Sequence, residues 1–280
     1  MVDPQELRAE QRERWERAAA GWGRRADLLR ETSLPVSHWM VERLELSPGQ
    51  RVLELAAGPG DTGFLAAQKI APGTLISSDA SEAMLALARS RAEGLGLANV
   101  EFNRFELEWI DLPTASVDAV MCRWGLMLCV DPSAAASEMR RVLKPGGRLT
   151  VAVWDSAELN PWATLDWRAV IELGHVAPPD PSGPGMFALA PESRLRELLE
   201  DSGFVEVLVE GVQLDRSYRA VEEYMAETLD LSATFSELWE KLDEGARSEV
   251  MERVEALAAP YRVSDGLRLP GRSLVAAASA

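Results

Sequence analysis

Cysteine and histidine are scarce in this chain, with two of each in 280 residues. Cys122 and Cys129 fall in a predicted strand and the loop after it, so the sequence offers no disulfide framework and no metal-ligand spacing. Basic residues are also short: 29 Lys and Arg stand against 45 Asp and Glu, a formal charge of −16. That balance argues against a broad electrostatic grip on nucleic acid or on an anionic membrane. No apolar run approaches the ~18 residues of a membrane span, so neither anchor nor signal peptide is expected, and the expected location is the cytoplasm. Internal repeats and low-complexity tails are absent. Tyrosine is rare, at three residues, whereas tryptophan reaches nine, and several of those indoles fall outside the predicted sheet. The 47% hydrophobic content is enough to fill the core of one large α/β domain with insertions.

The organising stretch is residues 51–63, RVLELAAGPGDTG. Val52, Leu53 and Leu55 enclose Glu54 in a short buried strand, which breaks into small residues and glycines and leads into a helix carrying Phe64, Leu65 and Ile70. Gly58, Gly60 and Gly63 satisfy G-x-G-x-x-G, the spacing that holds a dinucleotide pyrophosphate at a helix N-terminus. Two residues weigh against that ligand. Pro59 has no N–H to offer, and Asp61 brings negative charge to where a phosphate would sit. A cationic cofactor such as S-adenosylmethionine would instead be favoured by Glu54 and Asp61.

Around this unit the chain alternates strand and helix. Residues 4–30 and 35–44 read as helices, with Gly21 and Gly23 interrupting the first, and they form either a lid over the glycine loop or a cover for a sheet edge. Strands are expected at 51–56, 75–78, 99–105, 117–122 and 148–154, with helices at 61–71, after Ser81, and after Asp131-Pro132. This is a doubly wound parallel sheet with helices on both faces. Beyond Trp154 the pattern loosens: helices at 160–176, 191–202, 220–231 and 235–257, a turn-rich loop or flap at 177–187, and strands at 204–210 and 273–278.

Ligands of such a sheet bind at the carboxyl ends of its strands. Those ends supply Glu54, Ala56, Ala57, Gly58 and Gly60 from the first strand, Asp79, Ala80 and Ser81 from the second, Phe105, Glu106 and Leu107 from the third, and Cys122, Arg123 and Trp124 from the fourth. Asp79 can accept both hydroxyls of a ribose, Glu106 can accept from an exocyclic adenine amine, and Met84 with Leu107 can sandwich the ring.

Four segments in order carry a resemblance: VLELAAGPG at 52–60, SSDASEAML at 77–85, VEFNRFELEWIDLPTASVDAVMCRWGLM at 100–127 and EMRRVLKPGGRLTVAVW at 138–154. Together they resemble the class I S-adenosylmethionine-dependent methyltransferases, in particular the subgroup of the ubiquinone and menaquinone biosynthesis C-methyltransferases. The resemblance implies a Rossmann-like, seven-stranded, mostly parallel sheet with an antiparallel last strand. It implies that Gly58 and Gly60 pass under the methionine moiety, that Asp79 binds the ribose, that Glu106 and Leu107 frame adenine, and that Arg123 lies near the methionine carboxylate or the substrate entrance. The family usually has Gly-Asp where Phe105 and Glu106 stand. Its N-terminal helix often caps the cofactor, which makes Trp15 and Trp22 candidates for a lid.

The expected organisation is one domain over 1–280, with a helical lid at 1–45, a cofactor-binding core at 46–156, and substrate-side insertions at 157–190 and 217–262. The expected activity is direct methyl transfer to a small or medium, apolar metabolite, with no nucleic-acid partner, no metal and no covalent intermediate. The oligomeric state is open, a homodimer included. A non-catalytic cofactor-binding scaffold and an NAD-dependent oxidoreductase are the alternatives. Of the two histidines, His38 is expected to be structural on an apolar helix face, and His175, beside the proline-rich loop, is the candidate base.

Overall fold

The computed structural model describes residues 3–178 and 183–280. Its centre is a sheet in the order β3-β2-β1-β4-β5-β8-β6. The first five strands are β1 (Arg51–Leu55), β2 (Thr74–Asp79), β3 (Val100–Arg104), β4 (Val117–Arg123) and β5 (Leu143–Trp154), all parallel. Strand β8 (Gly266–Ser279) runs antiparallel between β5 and β6 (Val205–Tyr218), and the two-residue β7 (Arg262–Val263) pairs back on β8. The antiparallel last strand matches the expectation; β7 is an eighth strand too short to leave a periodic signal.

Successive strands move outward from β1 to β3, then restart on the other side of β1 at β4. The right-handed crossover rule therefore sends helices to opposite faces. Helices α2 (Ala26–Arg43) and α3 (Asp61–Ile70) pack together on one, and α5 (Pro132–Val142) and α7 (Glu192–Asp201) on the other. Val52, Leu53, Leu75, Ile76, Val120 and Val151 are fully enclosed, as befits strands covered on both sides. The gap between the carboxyl ends of β1 and β4 is the point where strand order reverses.

Strands β6 and β8 outrun the sheet. Strand β5 pairs with β8 only from Arg148 to Trp154, whereas β6 stays paired with β8 down to Tyr218 and Leu267. The resulting two-stranded arm supports a second apolar core. Tyr218, Leu267 and Leu269 from the arm pack with Leu165 and Val170 of α6 (Leu165–Glu172), with Tyr224 and Met225 of α8 (Val221–Leu231), and with Phe235, Val250 and Val254. The last three belong to α9 (Ala233–Lys241) and α10 (Glu244–Ala258).

Several local readings are corrected. The first helix, α1, runs Pro4–Arg24 without a break at Gly21 or Gly23, and α2 starts at Ala26 and carries Pro35 inside it rather than at its start. Gly21 is a packing residue: a Cβ there would meet the Asp230 carbonyl oxygen at 1.7 Å, so its absence lets α1 cross the end of α8. Residues 160–176 hold one short 3-10 turn, Pro161–Ala163, and then α6, and 235–257 is split because the Asp243 side chain caps α10, accepting from Ala246 N–H. Strand β5 begins at Leu143, five residues before the expected start. His38 is exposed on α2 instead of lying on an apolar face. In the 177–187 loop, residues 179–182 lie outside the described residues, while Gly185 N–H donates to the Met127 carbonyl at 3.2 Å.

Replacing Gly21 tests the α1–α8 crossing. Gly21→Ala would gain about 1 kcal/mol of helix propensity. The backbone clash costs more, so we expect a net loss of about 1–2 kcal/mol in denaturant unfolding. A more stable variant would show that the crossing is not close-packed.

Candidate active site

The turn after β1 is fixed by two carboxylates and by its own left-handed backbone. Glu54 accepts from Gly63 N–H at 2.7 Å and from the Ser77 hydroxyl at 3.0 Å, joining β1, β2 and the first turn of α3. Burial pushes its carboxyl up to about 7, against those two hydrogen bonds. A Cβ on Gly63 would meet Glu54 Oε2 at 2.1 Å, which explains the third glycine of the pattern. Second, the turn itself enters the left-handed region at Ala56 (φ 51°), Gly58 (φ 52°) and Gly60 (φ 88°), where glycine is favoured. Third, Asp79 at the end of β2 accepts from Gly58 N–H and Ser81 N–H, both at 2.9 Å. Burial raises the Asp79 carboxyl to about 6, and the charge of Glu106 adds to the rise.

This arrangement uses up backbone donors that a pyrophosphate would need. The α3 N–H of Gly63 is already taken by Glu54, and Asp61 is held at the helix start by Arg91, whose second nitrogen donates to the Pro59 carbonyl. Asp61 was expected to face a cationic ligand. It lies between two arginines instead, 2.7 Å from Arg91 and 4.0 Å from Arg123.

A cavity of about 120 Å³ opens at the strand ends. It brings together nine residues expected to bind the cofactor: Trp22, Ala56, Gly58, Asp79, Ala80, Met84, Glu106, Leu107 and Arg123. Three others stand apart. Glu54 and Gly60 do not line it; they shape the turn from behind, where Gly60 gives space to the Phe64 ring. His175 follows Gly174 (φ 80°) at the end of α6 and lines neither this cavity nor the one beside it, because that turn carries it away from the strand ends.

Helix α1 roofs the cavity. Arg12 pairs with Glu106 at 2.9 Å, Arg8 with Glu108 at 3.3 Å, and Glu16 accepts from the first N–H groups of α4 (Glu82–Gly94). Trp15 and Trp22 meet edge to face at 5.5 Å. Arg8 and Arg12 carry no signal in the sequence, where they look like ordinary solvent-facing helix charges.

Trp15, Trp22, Arg123, Trp124 and Leu128 also line a second cavity of about 250 Å³, so the two share a wall. Trp124 stacks on Trp154 at 4.2 Å, Trp154 meets Trp162 at 4.8 Å, and Trp167 completes six indoles around this space. Its polar groups are arranged in pairs. The Arg216 guanidinium lies 3.8 Å over Trp162 and forms a buried ion pair with Glu227, which also accepts from the Tyr218 hydroxyl. Asp166 accepts from the Tyr224 hydroxyl at 2.8 Å. The Arg123 guanidinium, by contrast, stacks over Trp124 at 4.6 Å, stands 4.0 Å from Asp61, and makes no side-chain hydrogen bond among the described residues. Asp166, Arg216 and Glu227 were not anticipated, since nothing in their sequence neighbourhood distinguishes them from surface charge. Cys122 is a buried thiol pushed up to about 12 by burial, and so inert. No group of His, Cys, Asp and Glu among the described residues is placed to hold a metal, and none of their helices is long and apolar enough to cross a membrane.

Residues 46–174 match the model of a methyltransferase domain. Curated relatives include the ubiquinone/menaquinone biosynthesis C-methyltransferase UbiE of Cellvibrio japonicus, 28% identical over 59% of this chain and 71% of that protein. UbiE of Xanthomonas campestris is 33% identical over 46% and 49%. An uncharacterized 37.1 kDa protein in transposon TN4556 of Streptomyces fradiae is 36% identical over 43% and 35%. The chain thus spans from about a third to about three quarters of the relatives' own lengths. Among solved structures, the YcgJ protein of Bacillus subtilis shares the fold at TM-score 0.61 and 18% identity, over 87% of this chain and 97% of that one. The [4+2]-cyclase SpnF shares it at TM-score 0.54 and 22% identity, over 87% and 79%.

The buried glutamate gives a pH signature. Glu54 titrates near 7 when folded and near its ordinary value when unfolded, so the stability of its protonated form is lost as pH rises through 7. The difference in unfolding free energy between Glu54→Gln and the wild type should therefore move in favour of the variant as pH rises from about 4.5 to 7 and level off above. Parallel stability–pH curves for the two proteins would refute the assignment.

Proposed function

We propose that this chain, whose residues 46–174 are a class I S-adenosylmethionine-dependent methyltransferase domain, transfers the cofactor's methyl group to a small or medium, apolar acceptor seated in the tryptophan-lined cavity. The observation that carries the reading is the shared wall: one cavity has the polar groups for a nucleoside, its neighbour is aromatic, and Trp15, Trp22, Arg123 and Trp124 border both. Such a pair of spaces is what in-line displacement needs.

The residues present fit the cofactor. Asp79 accepts from the ribose hydroxyls, Met84 and Leu107 flank the adenine, and Glu106 accepts from its amine once Arg12 shares it. Arg123 brings unused guanidinium donors to the amino-acid end, where a carboxylate is the matching group. The left-handed turn at Ala56 and Gly58 lets the cofactor approach the backbone. Bound there, the cofactor supplies an electrophilic methyl group on a sulfonium. The protein's own contribution is to orient the acceptor and to keep water out, for which α1 and its indoles form the roof. Against an oxidoreductase stands the occupied start of α3, which has no N–H free at Gly63 for a pyrophosphate.

Calorimetry with S-adenosylhomocysteine tests the donor half. At pH 7.5, Asp79→Ala should weaken binding by about 10- to 100-fold, the worth of hydrogen bonds to a charged group, with an unchanged circular dichroism spectrum. Because the Asp79 carboxyl titrates near 6 and accepts with both oxygens, as a charged acceptor, only when ionised, wild-type affinity should fall as pH drops through 6, and the variant should lack that fall. Tight binding of NAD with none of S-adenosylhomocysteine would overturn the reading.

A further inference from the structure

The aromatic cavity contains one carboxylate that the proposed function leaves unused. Asp166 stands in the first turn of α6, is buried, and lines the cavity. Its Oδ1 accepts the Tyr224 hydroxyl at 2.8 Å, while the same hydroxyl accepts from Asp166 N–H at 3.3 Å. The hydroxyl proton is thus committed to Asp166. Tyr224 itself is buried, and burial raises its phenol far above the ordinary value, so it remains a donor and fixes the carboxylate rather than exchanging protons.

We propose that Asp166, positioned by Tyr224, is the proton acceptor of the reaction, and that the acceptor substrate is a flat aromatic ring bearing a hydroxyl group. This rests on the methyl-transfer reading above. The shape argument comes from the walls: six indoles and two tyrosines present flat faces and edges, which favour a ring over a flexible chain. The polar argument comes from the pairs. Glu227 is paired with Arg216, which lies over the ring of Trp162, and Asp61 stands between Arg91 and Arg123, so of the three carboxylates on the cavity wall Asp166 is the one with no arginine or lysine partner among the described residues. A hydroxyl that must lose a proton matches a carboxylate; an amine that arrives neutral has no use for one. Burial holds the Asp166 carboxyl at about 6, against the hydrogen bond from Tyr224, which brings it closer to neutral pH than an exposed aspartate. The other charged and titratable groups on the cavity wall are Arg14, Asp61, Arg123, Arg216, Tyr218 and Glu227. On α10, which packs along α6, Arg253 is engaged by Glu172 at the opposite end of α6.

The step balances as follows. The hydroxyl proton passes to the Asp166 carboxylate, an oxygen lone pair forms the new bond to the methyl carbon, and the carbon–sulfur bonding pair stays on sulfur as a neutral thioether. Asp166 then returns its proton to solvent.

The test compares wild type with Asp166→Asn, which retains an oxygen for Tyr224. With a panel of phenols as acceptors, methyl transfer should fall by about 100-fold or more in the variant, the usual contribution of a general base. With the matching thiophenols, which ionise at neutral pH and need no base, the fall should stay below about 5-fold. A second readout needs no turnover. The absorbance of bound 4-nitrophenol reports its ionisation, and its titration midpoint should lie above the value in buffer in the wild type, because the carboxylate favours the neutral phenol. The midpoint should drop in Asp166→Asn, a change that a merely structural carboxylate would not produce. Equal losses on phenols and thiophenols, or an unmoved midpoint, overturn the proposal. Failure of the wild type to methylate any phenol while it binds S-adenosylhomocysteine overturns it too and leaves the donor site standing. Absence of S-adenosylhomocysteine binding instead removes the proposed function beneath it.

Discussion

The architecture of the site depends on one buried carboxylate, Glu54, drawing strand, neighbouring strand and helix together. Its two oxygens take the Gly63 N–H and the Ser77 hydroxyl, and this brings α3 so close to β1 that only glycine fits at 63. With the helix held there, residues 56–60 have to turn through left-handed conformations, and that turn places the Gly58 N–H within reach of Asp79. Satisfying a buried acid with a helix N–H offsets its desolvation and removes the donor that a phosphate would use. A glycine pattern shared with dinucleotide folds is thereby committed to a different ligand.

Much of this core was legible because each level of the sequence pointed the same way. Strand-end residues such as Asp79, Leu107 and Arg123 could be gathered from alternation alone, since a parallel sheet puts the carboxyl ends of its strands in one place. Glu54 was legible as important and misplaced in role: an acid inside an apolar run signals a buried partner, but not whether that partner is ligand or backbone. Gly21 shows the same limit. A glycine in a helical pattern reads as a break, and only the approach of the Asp230 carbonyl shows it to be a contact.

The acceptor side was the least readable. Arg216 and Tyr218 sit on an arm where β6 and β8 extend past the sheet, and Asp166, Tyr224 and Glu227 come from helices far apart in the chain. They converge because a second apolar core, built on Tyr218, Tyr224, Phe235 and Val250, pulls α6, α8, α9 and α10 onto that arm. No local periodicity encodes such a meeting. The excess of tryptophan did foreshadow it, since six of the nine indoles surround one cavity. Helix α1 links the halves, engaging Glu106 and Glu108 through its arginines at one end and Asp230 through Arg24 at the other.

The central claim is that two adjoining cavities hold donor and acceptor face to face. A crystal structure of the complex with S-adenosylhomocysteine tests it most directly. The account predicts the ribose hydroxyls on Asp79, the amino-acid carboxylate on Arg123, and the sulfur directed toward the tryptophan-lined cavity past Trp22 and Trp124. A bound ligand whose sulfur faces away from that cavity, or a closed wall between the two spaces, would contradict it.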